Sequence, residues 1–217
     1  YEKVFELGRV FRNEGIDREH LQEFDHMEFY WAYADLEKGM AFCEKMYKEI
    51  IFKVLGNYKH KYADKEIDWD VKFPIVDYFT EFKKAIGLDL SDNLSIKELQ
   101  AKADELKIKY EKGYSLGRLI DTIYKKTIRP KLIQPCFLTG HPLAVSPLAK
   151  KDPQNPKKVL RFQIVAGGSE LCNAFAELND PIDQKNRFLE QMKMREAGDK
   201  EAQMIDNDFV EALEYGL

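Results

Sequence analysis

Two short runs of this 217-residue chain place residues that can hold charge beside residues that can hold an amine. In FDHMEFYWAYA (24–34) the side chains alternate between two strand faces. His26, Glu28, Tyr30 and Ala32 therefore share one face, and Met27, Phe29, Trp31 and Tyr33 share the other, where they would enter the core. A carboxylate beside a phenol can grip an ammonium group, one by charge and the other by a hydrogen bond or its ring face. The Glu28–Tyr30 pair equally suits the wet face of a half-buried sheet. In GGSELCNAFAELNDP (167–181) alternation groups Asn173, Phe175 and Glu177. Glu170 joins them only if the strand bulges or begins after it. Asn173 and Glu177 could bind a charged, amine-bearing ligand, and Glu170 could hold Mg2+, which takes oxygen ligands and often shares them with substrate phosphates. Buried Asn and Glu also serve as structural hydrogen-bonders. Around residue 12 stand Arg9, Arg12, Glu14, Arg18 and His20. Guanidinium forks match phosphate oxygens, so these cations could hold a polyphosphate. Glu14 and Glu23 could equally pair with them at the surface.

The elements needed to position these residues are legible in the spacing. Residues 1–11 alternate and are rich in aromatic and β-branched types, which predicts a strand; with 24–34 it makes an antiparallel pair around a long loop. Asp35 caps a predicted helix over 36–55, where Leu36, Met40, Cys43, Tyr47, Ile50 and Val54 recur at helical spacing and Gly56 stops it. Residues 67–73 read as a strand ending at Pro74, and Asp77 caps a short helix to Ile86. Ser95 and Glu98 form a capping box at the head of a helical stretch (95–129) ended by Pro130, which reads as a helical insertion of about 90–130. Strands follow at 136–139, 159–166 and 169–178, with a basic, turn-rich loop at 150–158. Asp180 and Pro181 open a helix to Gly198, and a last helix covers 207–215. Strands and helices without a repeating βαβ period predict an α+β fold with an antiparallel sheet.

Composition narrows the classes. A hydrophobic share of 44% supports a packed core, and a formal net charge of −4 means that bulk charge draws no nucleic acid, so any RNA contact must be local. Cys43, Cys136 and Cys172 show no CxxC or zinc-ligand spacing, which favours reduced thiols in the cytoplasm. No apolar run approaches the roughly 18 residues that span a bilayer, so no membrane partner is expected. Because the chain opens with Tyr1 in a strand, it is expected to be part of a longer protein.

Taken together, GRVFRNEGIDREHLQEFDHMEFYWAYAD (8–35) resembles the second signature of class II aminoacyl-tRNA synthetases, an arginine-bearing strand, a loop and a returning strand. SPLAKKDPQNPKKVLRFQIVAGGSELCNAFAELNDPIDQKNRF (146–188) narrows the resemblance to the lysine enzymes, and EALEYGL resembles the lead-in to the third signature. The resemblance implies a six- or seven-stranded antiparallel sheet flanked by helices, with 1–217 forming part of the catalytic domain. The first and third signatures and the anticodon-binding domain would lie outside it. It implies activation of lysine by ATP with Mg2+, transfer to tRNA-Lys, and a homodimer. By position, Arg12 would hold the α-phosphate, Glu14 the adenine side, His20 the γ-phosphate, and Phe24 would stack on adenine. Glu28, Tyr30, Asn173, Phe175 and Glu177 would bind lysine, and Glu170 would coordinate Mg2+. Two positions depart from the family: Leu21 replaces an Asn after the loop histidine, and a second metal-binding Glu falls at Gln163. Two rival readings are a paralogue that lysylates elongation factor P and a catalytically dead binding module.

Overall fold

The computed structural model of the chain describes residues 1–13, 20–199 and 202–216. The two alternating runs at the start form β1 (Lys3–Phe11) and β2 (Glu23–Trp31), paired antiparallel with Glu6 opposite Glu28, Val4 opposite Tyr30 and Val10 opposite Phe24. Helix α1 (Leu36–Leu55) begins where expected: the Asp35 carboxylate accepts the Lys38 N–H, and Gly56 closes the helix in the left-handed conformation at φ 77°. A glycine in mid-helix costs stability, and Gly39 is placed where a side chain would crowd its neighbour. An added Cβ would lie 3.2 Å from the Phe162 ring, so its absence lets α1 sit close against the sheet.

Next come a small hairpin, β3 (Lys59–Tyr62) with β4 (Lys65–Asp68), and the short strand β5 (Ile75–Asp77). The strand expected at 67–73 is therefore corrected: β4 ends at Asp68, and Trp69 and Phe73 are buried outside regular structure. Sequence reading missed β3 because Lys59–Tyr62 has no apolar face to alternate. Helices α2 (Tyr78–Ile86), α3 (Ile96–Glu105) and α4 (Leu116–Thr127) follow, with the Ser95–Glu98 capping box present. The chain returns as β6 (Cys136–Thr139). Lys151–Asp152 (β7) and Asn155–Val159 (β8) form a tight hairpin where a plain loop was expected. Then come β9 (Arg161–Ala166) and β10 (Ser169–Phe175), followed by α5 (Pro181–Glu196) and α6 (Asn207–Glu214). Strand β10 stops at Phe175, short of the expected 178.

The central sheet has the order β10-β9-β6-β5. Its pairs are antiparallel except β5–β6, which is parallel. That departs from the fully antiparallel sheet expected, and the cause is the helical crossover α2–α4, since a parallel return needs a long connection. Among the described residues, β1–β2 hydrogen-bonds as a sheet of its own. One face of the central sheet packs Cys136, Leu138 and Val165 against α2, α3 and α4; the other packs Phe137, Phe162, Ile164 and Ala166 with Cys43 of α1. The α4 layer is held close at Gly117, where an added Cβ would fall 2.2 Å from the Ala144 carbonyl oxygen.

Candidate functional site

Helix α1 backs the hairpin as well as the sheet. Phe29 and Trp31 of β2 meet its Phe42 edge-on, with ring centroids 5.2 and 6.0 Å apart. The expected core face is only partly covered: Met27 stays 40% exposed, and Tyr33, at 97%, lies beyond the strand at φ 60°, where parity no longer applies. Because Phe29 and Trp31 face α1, Glu28 and Tyr30 face away from it.

The same logic orients the central sheet. Phe162, Ile164, Cys172 and Ala174 pack on the α1 side, so Arg161, Gln163, Asn173 and Phe175 point to the other. Glu170 joins them because β10 bulges: Glu170 pairs with Val165 and Cys172 with Ile164, leaving Leu171 as the extra residue. The bulge that alternation required is present, and Gln163 Nε2 donates to Glu170 Oε2 at 2.7 Å on that shared face. Glu177 lies just past β10 and is fixed by its bridge to Ala149.

The two halves meet at Tyr30. Partial burial, then the charges of Glu177 and Glu28, raise the Tyr30 pKa, so both carboxylates act on one phenol. Glu170, Asn173 and Glu177 are open to solvent, yet surrounding protein raises the pKa of Glu170 and of Glu177 by desolvation. Carboxylates that keep contact with solvent but lose part of their hydration could receive a cation.

The arginine cluster singled out in the sequence lies farther along the hairpin. Arg12 N–H donates to the Gln22 carbonyl at 2.9 Å, extending the β1–β2 register by one step. The Arg12 guanidinium stands 5.5 Å from the centre of the Phe24 ring, on the face that carries Glu28 and Tyr30. Gln22 and Glu28 are separated by roughly 20 Å of strand at ~3.4 Å per residue, a span suited to an amino acid joined end to end with a nucleotide. Arg9 faces the other way and pairs with Glu23 at 2.6 Å and Asp25 at 2.9 Å. It forms a surface ion-pair cluster on the face opposite Arg12. His20 and Leu21 are exposed at the far end of the loop; Glu14 and Arg18 lie outside the described residues.

Sequence reasoning missed a second tier beneath the site. Arg161 Nε donates to Asn173 Oδ1 at 2.8 Å, and its Nη1 donates to Ser146 Oγ at 2.9 Å and the Val145 carbonyl at 3.2 Å. His141 is 2% exposed, and burial with the nearby Arg161 charge pushes its pKa down to about 3. The charges of Glu170 and Asp121 act on Arg161, so helix α4 contributes to the electrostatics around Asn173. The alternation of Arg161 with Gln163 along β9 was the signal that could have revealed this tier.

Magnesium can be tested against these donors. Among the described residues there is no group of three or more His, Cys, Asp or Glu that could hold a metal. Glu170 already shares one oxygen with a neutral amide. A protein-only cage does not fit, whereas one carboxylate beside nucleotide phosphates is an ordinary Mg2+ arrangement.

The hairpin thus presents Arg12, Phe24, Glu28 and Tyr30 on one face, and the central sheet presents Glu170, Asn173 and Phe175 on another, with Glu177 just beyond. The family model of class II tRNA synthetases (D, K and N) matches residues 1–217, and the chain belongs to that family. Among curated proteins it is 42% identical over 216 residues to the lysine–tRNA ligase of Bacillus subtilis. It is 44% identical to the lysine–tRNA ligases of Lactiplantibacillus plantarum, over 216 residues, and Thermosipho africanus, over 220 residues. In each case all of this chain is covered but 43% of the relative, so the chain spans less than half the length of these relatives.

Proposed function

We propose that the intact protein activates lysine with ATP and charges tRNA-Lys, and that this chain supplies the lysine pocket and much of the nucleotide site. The observation that carries the reading is the convergence of Glu28 and Glu177 on Tyr30. A buried ammonium is costly unless paired; two carboxylates and a phenol pair it, and a neutral amino acid of similar length would leave them unpaired.

In the proposed reaction a lysine carboxylate oxygen attacks the α-phosphorus of ATP. The α–β bridging bond breaks, lysyl-adenylate forms and pyrophosphate leaves. The terminal adenosine of tRNA-Lys then takes the lysyl group and AMP leaves. No protein nucleophile is needed, because such transfers depend on alignment and charge stabilisation. Arg12 would hold the α-phosphate, Phe24 would stack on adenine, and Glu14 and His20 would contact the adenine side and the γ-phosphate. Asn173 and Phe175 would line the lysine pocket beside Glu28, Tyr30 and Glu177. Mg2+ would neutralise phosphate charge when bound, with Glu170 as its protein ligand. A homodimer fits the apolar residues Phe5 (78% exposed) and Leu7 (69%), which share the hairpin face of Phe29 and Met27 and are left uncovered by α1. Among the described residues no helix is long and apolar enough to cross a membrane.

The test is ATP–pyrophosphate exchange by the intact gene product. Exchange that depends on lysine is expected; exchange that ignores lysine, or its absence, refutes the reading.

A further inference from the structure

We propose that Arg161 is a positioning residue which decides the end of the Asn173 carboxamide that meets the ligand. Arg161 opens β9, and Asn173 on β10 is its diagonal neighbour on the same face, since Asn173 pairs with Gln163 and Phe175 with Arg161. A guanidinium only donates hydrogen bonds. Its Nε–H on Asn173 at 2.8 Å therefore fixes the amide oxygen toward the arginine. The remaining contacts anchor the guanidinium from the opposite side: Nη1 bonds to Ser146 Oγ and the Val145 carbonyl. Ser146 is only 4% exposed and follows the Leu143–Val145 turn, against which α4 packs at Gly117. The arginine is thus held by a rigid support, and Asn173 is held by the arginine.

The consequence is chemical. With its oxygen turned to Arg161, Asn173 presents the N–H groups of its amide to the site, so it meets an acceptor and not an ammonium. This reverses the amine-binding role that residue type alone allows for Asn173. In the proposed lysine site, on which this inference rests, the acceptor is the substrate carboxylate. Recognition then divides: Glu28, Tyr30 and Glu177 read the ε-ammonium, while Asn173, oriented by Arg161, reads the other end.

Titration calorimetry on the intact gene product tests the division with L-lysine, with 1,5-diaminopentane (lysine without its carboxylate) and with norleucine (lysine without its ε-ammonium). In Arg161→Leu the preference for lysine over diaminopentane is expected to fall about tenfold, the size of one charge-assisted hydrogen bond. The preference over norleucine is expected to hold. Arg161→Lys, which keeps a donor, should restore part of the loss. Asn173→Asp keeps a partner for Arg161 but presents only oxygen, and it should abolish the same preference, which decides the matter if Arg161→Leu fails to fold. If the carboxylate preference survives in a folded Arg161→Leu, or in Asn173→Asp, or if both preferences fall together, the inference is overturned. A wild-type protein that binds no lysine overturns the lysine reading and this inference with it.

Discussion

Replacing Glu177 with glutamine removes one charge from the proposed lysine pocket and little volume. The change acts on two quantities in opposite directions. A charge-assisted hydrogen bond contributes about 1.5–3 kcal/mol. Because Glu177 is solvent-exposed and Glu28 remains in the pocket, the lower half of that range applies, about 1.5–2 kcal/mol. Lysine affinity should therefore fall roughly 10–30-fold, at about 1.4 kcal/mol per tenfold, with ATP affinity unchanged. Desolvation raises the Glu177 pKa in the free protein, so its charge weakens the unliganded fold. The variant's thermal midpoint should stay level or rise. The pH profile gives a third readout. Protonated Glu177 cannot pair an ammonium, so wild-type lysine affinity should decline as pH falls through its raised pKa, earlier than for a free glutamate. The variant should lose that component. Calorimetric titrations of lysine and ATP across pH, with melting curves of the unliganded proteins, check all three. Equal losses for both ligands, or a lowered midpoint, would refute the assignment of Glu177 to the lysine pocket.

Glu28→Gln should also weaken lysine binding more than ATP binding, as read by separate titrations. Arg12→Met should slow pyrophosphate exchange by on the order of 3 kcal/mol of transition-state stabilisation, the scale of a lost charge-stabilising contact, while the melting curve is unmoved. Gly117→Ala should destabilise the chain by about 2–3 kcal/mol in chemical denaturation, because the new Cβ would fall 2.2 Å from the Ala144 carbonyl oxygen. Asp77 caps α2 through the Thr80 N–H and holds Lys158 at 2.6 Å. Burial opposes its charged form, but these bonds outweigh burial and set its pKa below the ordinary value. Its contribution, about 2 kcal/mol, is complete above the ordinary carboxylate range and lost as pH falls through the lowered value. The stability difference between wild type and Asp77→Ala should therefore shrink in acid.

Elements whose signals are local were legible from the sequence. Helix α1 spans the residues its apolar stripe and caps define, and the Asp77, Ser95 and Asp180 caps fall as read. Parity placed Glu28 with Tyr30 and Asn173 with Phe175 because strand alternation depends on the backbone alone. Four features were not legible. The exposed strand Lys59–Tyr62 carries no pattern, since neither face buries much. The parallel β5–β6 pairing depends on where a distant crossover lands. Coverage of Met27 depends on the reach of α1, which no run of residues encodes. Arg161 has a role only once its strand lies beside Asn173, because a contact between residues twelve apart in sequence is a product of tertiary packing.

Leu171 shows how much depends on a single inserted position. Had β10 kept strict alternation through Leu171, that residue would stand opposite Val165 and Glu170 would turn toward the Cys43 side of the sheet while Asn173 kept its face. A charged carboxyl would then enter the apolar layer under α1. Removing Leu171 would instead leave Glu170 opposite Val165, still on the Asn173 face, with the two strands in regular step. The place of the carboxyl is therefore set by where the strand slips by one residue, and not by which side chain fills the slip.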